Sequence, residues 1–320
     1  MFKIILLLII IFFLFSYYKA RKFIDNLVLR SNFEKDKESD VDISSFDKYQ
    51  RIVYENKEKG RYIENKYMKE FQNIDILSED GTKLCSKYRE NIDSDYWCIL
   101  LHGYTADNHT MMTFANEYIN KGFSVLIPNH RAHGNSAGEY TTFGIKEKED
   151  LKRWIKWIDN KQPNSKIVVH GVSMGAATTM YLAEDDIDNV IAYIEDCGFT
   201  NYYNVAKFKY GNNILLKPFL MLANVIFKNK YGGDLFKSTL STIIKTNKPM
   251  LFIHGGNDEL IPASMCGELY EKSNSEFKKM YIAPNAGHAD AKNINPTKYF
   301  DVVFNFIDQV LAQYSKFIDM

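Results

Sequence analysis

The sequence predicts an α/β fold: a mostly parallel central sheet covered by helices on both faces. Three observations lead there. From about residue 97 onward, short continuous apolar runs, the pattern of strands buried on both faces, alternate with amphipathic stretches of helical period. The pentapeptide Gly171-Val172-Ser173-Met174-Gly175 lies between an apolar run, Ile167-Val168-Val169, and a small-residue stretch, Ala176-Ala177-Thr178-Thr179. That is the setting of a sharp strand-to-helix turn. With 320 residues, 46% of them hydrophobic, the chain is long enough for one large domain of this kind and too short for two.

The elements follow in order. After Met1-Phe2-Lys3, residues 4–15 are uninterruptedly apolar, and Ser16-Tyr17-Tyr18 extend them to an aromatic end. About eighteen residues of helix reach roughly 27 Å, close to the span of a bilayer core. The following Tyr17-Tyr18-Lys19-Ala20-Arg21-Lys22 lacks the small-residue pattern of a cleaved leader. Residues 1–20 are therefore read as an uncleaved, single-pass membrane anchor. Lys3 flanks one end and Lys19, Arg21 and Lys22 the other, so charge gives no clear orientation. Residues 21–70 mix charges densely, as in Glu34-Lys35-Asp36-Lys37-Glu38, with Phe46, Tyr49, Ile52 and Val53 at roughly helical intervals. They are expected to form a partly helical, solvated stalk that carries the domain of residues 71–320 off the membrane.

Within that domain, residues 74–77 and 83–85, separated by Ser78-Glu79-Asp80-Gly81, read as a strand, a turn and a returning strand. Further strands are expected at 97–101, 123–128, 166–169, 190–194, 250–253 and 279–282. Helices are expected near 111–120 and 148–158, and after the turn at Ser173. A C-terminal helix opens on Asn295 and Pro296, with Tyr299, Val303, Phe306 and Val310 on one stripe. Residues 198–248 break the alternation. They are rich in aromatic and aliphatic side chains and too long for a plain linker, so they are expected to form a small helical cap over the carboxyl edge of the sheet.

Lys and Arg balance Asp and Glu at forty each, so no basic excess points to nucleic acid. Cys85, Cys98, Cys197 and Cys266 are widely spaced in or beside apolar elements and read as buried free thiols. No metal-ligand spacing appears, and the reading calls for no cofactor.

A serine hydroxyl is a poor nucleophile at neutral pH and needs a positioned base. Of seven histidines, His288 in Ala286-Gly287-His288-Ala289-Asp290 lies in a glycine-containing loop between the last strand and the last helix, as such a base requires. His170 and His254 read as packed strand residues, His130 and His133 as loop residues, and His109 as a helix start. Asp258, directly after a buried strand, gives the chain order Ser173, Asp258, His288; Glu259, Asp196 and Asp290 are the alternative acids. An oxyanion needs two N–H donors, expected from Met174 at the start of a helix and from Tyr104 in Leu101-His102-Gly103-Tyr104.

These motifs, with Asn129-His130-Arg131-Ala132-His133-Gly134-Asn135-Ser136 and His254-Gly255-Gly256-Asn257-Asp258, resemble the α/β-hydrolase superfamily over roughly residues 74–311. More narrowly, they resemble bacterial membrane-anchored hydrolases described as cell-surface hydrolases, near dienelactone-hydrolase-like and prolyl-oligopeptidase-like esterases. The resemblance implies a serine hydrolase that cleaves small-molecule esters through an acyl-enzyme, with its domain on the extracytoplasmic face of the cell membrane. A peptidase acting on amides, or an acyltransferase, would use the same three residues, and a binding protein that keeps the fold without catalysis is a further alternative. Such relatives commonly read D-x-R-G-H-G-x-S in the loop after the second central strand. Here Asn129 and Ala132 stand at the acidic and first glycine places, so that loop is expected to hydrogen-bond differently.

Overall fold

The protein is described from a computed structural model covering residues 2–33, 44, 46–67, 69–211 and 213–318. The charge run at residues 34–38 lies outside the described residues. Helix α1 (Phe2–Val28) and the short α2 (Arg30–Phe33) precede α3 (Lys48–Lys66). Strands β1 (Gln72–Leu77), β2 (Lys83–Arg89) and β3 (Tyr96–Leu101) lead to α4 (Asn108–Asn120), β4 (Ser124–Pro128), α5 (Ile145–Lys161), β5 (Lys166–Val172), α6 (Met174–Leu182) and β6 (Val190–Asp196). Then come α7 (Tyr202–Tyr210), α8 (Leu216–Tyr231), α9 (Leu240–Ile243), β7 (Met250–Gly255), α10 (Ser264–Lys272), β8 (Lys278–Ala283), α11 (Ala291–Ile294) and α12 (Pro296–Ile318).

The eight strands form one sheet in the order β1-β2-β4-β3-β5-β6-β7-β8. β1 and β2 pair antiparallel, as does β2 with β4, and every later pairing is parallel. Alternation along β3 divides the core. Cys98 and Leu100 pack with α4 and α12, whereas Trp97, Ile99 and Leu101 pack with α5, α6 and α10. The expected mostly parallel, doubly covered sheet is therefore the observed one. Its strands run past the apolar stretches that mark them. β5 continues beyond Val169 because His170, although polar, is satisfied inside the core by the hydroxyls of Tyr118 and Tyr299, each 3.0 Å from a ring nitrogen. On α12, Asn295 Oδ1 accepts from the Lys298 amide at 3.0 Å, and Tyr299, Val303, Phe306 and Val310 are all buried.

Residues 198–248 hold the three helices α7, α8 and α9. They share a separate apolar cluster with Ala20, Ile24 and Val28 of α1, all three without solvent exposure. The described residues between 21 and 70 do not stand off as a solvated stalk. Asp25 accepts from Tyr231 Oη at 2.6 Å, and Arg30 donates to the carbonyls of Ser136 and Gly134 at 2.6 and 2.5 Å. Helix α3 starts on a reciprocal cap, in which Asp47 Oδ1 accepts from the Gln50 amide and Gln50 Oε1 from the Asp47 amide. Its inner face then lies on the first turn of α4. Lys57 pairs with Asp107 at 2.9 Å, Glu64 lies 3.0 Å from His109, and Gly60 meets the His109 carbonyl.

That last approach leaves no room for a side chain, since a β-carbon on Gly60 would lie 1.7 Å from His109 O. Gly60→Ala is expected to push α3 off α4 and cost about 1–3 kcal/mol, the usual range for overpacking. Denaturant unfolding checks this against Gly267→Ala on α10, where nothing lies within 4 Å of the added carbon. The control should be neutral or slightly stabilising, as alanine is the better helix former.

Candidate active site

Ser173 closes β5 and opens α6 with φ 56° and ψ −112°, a left-handed backbone that non-glycine residues adopt at a cost of roughly 1–3 kcal/mol. Its amide is tied to Asp196 O at 2.8 Å. The turn is tight enough to demand the two flanking glycines. A β-carbon on Gly171 would sit 2.1 Å from Gly175 O, and one on Gly175 would sit 2.3 Å from Leu101 O.

Three side chains from distant parts of the chain converge at this turn. Ser173 Oγ lies 2.9 Å from His288 Nε2, and His288 Nδ1 lies 2.7 Å from Asp258 Oδ2. The other carboxylate oxygen of Asp258 accepts from the amides of Leu260 and Ile261 at 2.9 and 2.8 Å. Burial alone would raise the Asp258 pKa, but hydrogen bonds from His254 and His288 outweigh it and hold the carboxyl well below the ordinary range. The alternative acids stand elsewhere. Glu259 is exposed, Asp290 accepts from Asn293, and Asp196 accepts from Tyr299 Oη at 2.8 Å. Burial pushes Asp196 up to about 6 and its neighbour Glu195 up to about 8.

His254, read as a packed strand residue, does more than fill space. Its Nε2 lies 3.2 Å from Asp258 Oδ2 and 2.9 Å from Ile261 O, so it carries the proton on that nitrogen and gives the carboxylate a second imidazole donor. Burial disfavours the His254 cation, yet the contact with Asp258 outweighs burial and raises its pKa.

The two expected oxyanion donors border the serine. Met174 is the first residue of α6, so its N–H has no acceptor within the helix. On the facing loop Gly103 packs close enough that a β-carbon there would touch Ser173 Cβ at 3.3 Å, which brings the neighbouring Tyr104 to the same place. His102 braces this loop from below. Its Nε2 accepts from the His130 amide at 3.0 Å, so Nδ1 carries the hydrogen and donates to Gly103 O at 2.8 Å. Burial, with His130 and His133 beside it, keeps His102 neutral by lowering its pKa well below the usual value.

Tyr49 is a contributor that sequence reasoning assigned to the stalk. Its hydroxyl donates to Tyr104 O at 3.2 Å, and its ring lies 5.1 Å from that of His288. Asn129 also settles the loop in which it replaces an acid, because its side-chain oxygen accepts from the Asn108 amide at 2.7 Å, at the start of α4. Ala132 stands in the left-handed region with φ 62°, where the pattern of relatives has glycine.

Above Ser173 opens a cavity of about 850 Å³. Its walls come from α1 (Leu27), α3 (Tyr49, Val53), the loops bearing Tyr104 and Phe143, and the cap (Phe199, Tyr202, Val205). The four cysteines are free and buried, and among the described residues no three His, Cys, Asp or Glu side chains converge as a metal site.

The donors on Asp258 give a pH dependence. The folded pKa of Asp258 lies below its unfolded value of about 3.9, so its stabilisation is complete above that value and is lost as pH falls through the folded pKa. His254→Leu removes one donor and raises the folded pKa. Acid unfolding followed by circular dichroism should therefore begin at a higher pH in the variant, and coincident curves would refute the assignment.

The fold that carries this arrangement has counterparts among known proteins. The family described as alpha/beta hydrolase fold matches residues 96–198, from β3 through the turn at Ser173 to just past β6. The uncharacterised protein YqkD of Bacillus subtilis is 33% identical over 223 residues, spanning 68% of this chain and 73% of YqkD. The membrane protein YNL320W of Saccharomyces cerevisiae, also uncharacterised, is 26% identical over 74% of this chain and 79% of its own length. Among solved structures, the Pyrococcus furiosus esterase Pf2001 superposes with a TM-score of 0.64 at 26% identity, over 77% of this chain and 93% of the esterase. With the sheet order, the glycine-flanked serine turn and these similarities together, the chain belongs to the α/β-hydrolase fold family.

Proposed function

We propose that this protein is a membrane-anchored serine hydrolase that cleaves carboxylic esters through an acyl-enzyme on Ser173. The reading rests above all on the unbroken hydrogen-bonded line from Ser173 Oγ through both nitrogens of His288 to an ionised Asp258. His288 Nε2 takes the proton as Ser173 Oγ attacks the ester carbonyl. Asp258 fixes the imidazole tautomer and balances the imidazolium that forms. The tetrahedral oxyanion is received by the amides of Met174 and Tyr104, each donor being worth about 3–4 kcal/mol in such sites. His288 then passes its proton to the departing alkoxide, which leaves as the alcohol. Water, deprotonated by the same nitrogen, cleaves the acyl-serine to the acid and free Ser173.

Esters rather than amides are favoured by the likeness to an esterase. The membrane anchor is α1, a helix long and apolar enough by length and composition to cross a bilayer, whose first turns are exposed; the similarity to a protein named as a membrane protein agrees with it.

Ser173→Ala should lower ester turnover by roughly five to six orders of magnitude and abolish labelling by a fluorophosphonate probe. Unchanged turnover in that variant would end the proposal, and a preference for peptide amides or alcohol acceptors over water would move it to the peptidase or acyltransferase alternative. Tyr49→Phe keeps the ring over His288 and removes only the hydroxyl on Tyr104 O. It should lower kcat by about 3–10-fold with little change in KM, consistent with a bond of about 1 kcal/mol that positions the oxyanion loop.

A further inference from the structure

We propose that the outer face of the cap is a second membrane contact: a basic and apolar patch that rests on an anionic lipid surface and sets the mouth of the Ser173 cavity against it. On this view the substrate is the ester of a bilayer-resident lipid. The inference rests on the anchored ester hydrolase proposed above and adds where the substrate comes from.

The charge distribution is the first support. The chain as a whole is neutral, yet residues 197–233 contain no Asp or Glu and five lysines, Lys207, Lys209, Lys217, Lys228 and Lys230. Lys228 and Lys230 are paired with Asp234 and Asp25. Lys207, Lys209 and Lys217 make no ion pair among the described residues and remain exposed. Unneutralised lysines at a membrane surface each strengthen attachment to anionic lipid by roughly fivefold.

The second support is the company these lysines keep. Between them the cap exposes Phe208, Tyr210, Ile214, Leu215, Met221 and Val225, with Ile214 at 88% and Leu215 at 71% exposure. A cap that served only as a cavity wall would turn such side chains inward, as it does Leu220, Ala223 and Phe227. Exposed apolar groups interleaved with lysines are the composition of a surface that lies in the headgroup layer.

Position is the third. Helix α1 has 27 residues, about 40 Å, while a bilayer core takes about 30 Å of it. Its remaining turns, with Ala20, Ile24 and Val28, are already bedded in the cap, and Phe23 lies edge-on to Phe219 of α8 at 5.5 Å. No spacer separates the span from the patch. Lys19, Arg21 and Lys22 leave the span at the same level. The cavity reaches this border, since Leu27 of α1 and Lys209 and Tyr210 of α7 line it together with Ser173. The opposite rim, on α3, carries mixed charge (Asp47, Lys57, Glu58, Arg61) and lacks the basic, apolar character of the cap. A volume near 850 Å³ stands at the upper end of ordinary ligand pockets and suits a long acyl chain.

The test uses the full chain reconstituted into bilayers of phosphatidylcholine with or without phosphatidylglycerol. Met221→Cys is labelled with an environment-sensitive fluorophore, which the buried native cysteines leave site-selective. Bromolipids in the headgroup-proximal acyl region should quench the label in phosphatidylglycerol bilayers, and Lys207→Glu with Lys217→Glu should weaken that quenching. The same double variant should hydrolyse a bilayer-embedded long-chain acylglycerol roughly tenfold more slowly, while a short water-soluble ester is turned over within about twofold of wild type. Absence of quenching in every bilayer, or equal loss on both esters, overturns the proposal. A label that responds to protein concentration in detergent and not to lipid overturns it too, in favour of contact between two copies. Quenching without hydrolysis of either ester upholds the contact and refutes the ester hydrolase reading, so the two failures are distinct.

Discussion

Ser173 can hold its left-handed backbone only because the chain on either side of it is stripped of side chains and pinned. Gly171 lies against Gly175, Gly175 lies against the end of β3, and the Ser173 amide is bonded to the end of β6. Three adjacent parallel strands thus over-determine one dihedral angle. The hydroxyl is lifted above the carboxyl edge of the sheet, and the first amides of α6 are turned toward the same point. Everything else at the site is arranged around that fixed oxygen. The loop after β3 comes close because Gly103 has no side chain to obstruct it, and the loops after β7 and β8 deliver a carboxylate and an imidazole from the far side.

The electrostatic order is set by burial working against pairing. Asp258 is withdrawn from water, which opposes its charge, and is kept ionised by two backbone amides and two imidazoles. Glu195 and Asp196, still more deeply buried at the end of β6, lack such a set of donors, and their pKa values rise instead. Three carboxyl groups close together at the carboxyl edge of the sheet are therefore shifted in different directions, burial raising two of them and donors to the third outweighing its burial. Charge is concentrated on the one that faces His288.

The serine turn is legible in the sequence because its steric demand is local: the glycines, the serine, and the strand and helix around them fall within about a dozen residues. The order of Ser173, Asp258 and His288 is legible because each follows a strand of a sheet whose apolar runs are continuous. Strand ends are less so. Periodicity stops β5 at Val169, while partners fifty to more than a hundred residues away let His170 continue it. The role of α3 is hidden for a different reason. Its apolar positions Tyr49, Ile52 and Val53 are followed by Asn56 and Gly60, which are buried but not apolar, so the stripe stops short and the mixed charges read as a solvated helix. Tyr49 is hidden with it, and so is the closeness of α1 to the cap, because Ala20, Ile24 and Val28 fall where an apolar span gives way to mixed charge and carry no stripe distinct from the span.

Tyr104 joins the two ends of the molecule. Its carbonyl accepts from Tyr49 Oη beside His288, and its hydroxyl donates to Leu27 O at 2.7 Å in the last turn of α1. An α-helix turns 100° per residue, so the rotational setting of the apolar segment is transmitted rigidly down to that carbonyl. Inserting or deleting a single residue between Ala20 and Val28 would turn part of the docking side of α1 away from α8 while leaving its length and hydrophobicity almost unchanged. The N-terminal helix is accordingly a keyed part rather than an interchangeable tether. What an exchange of this segment must preserve is the spacing of Ala20, Ile24 and Val28, the α1 residues buried against the cap.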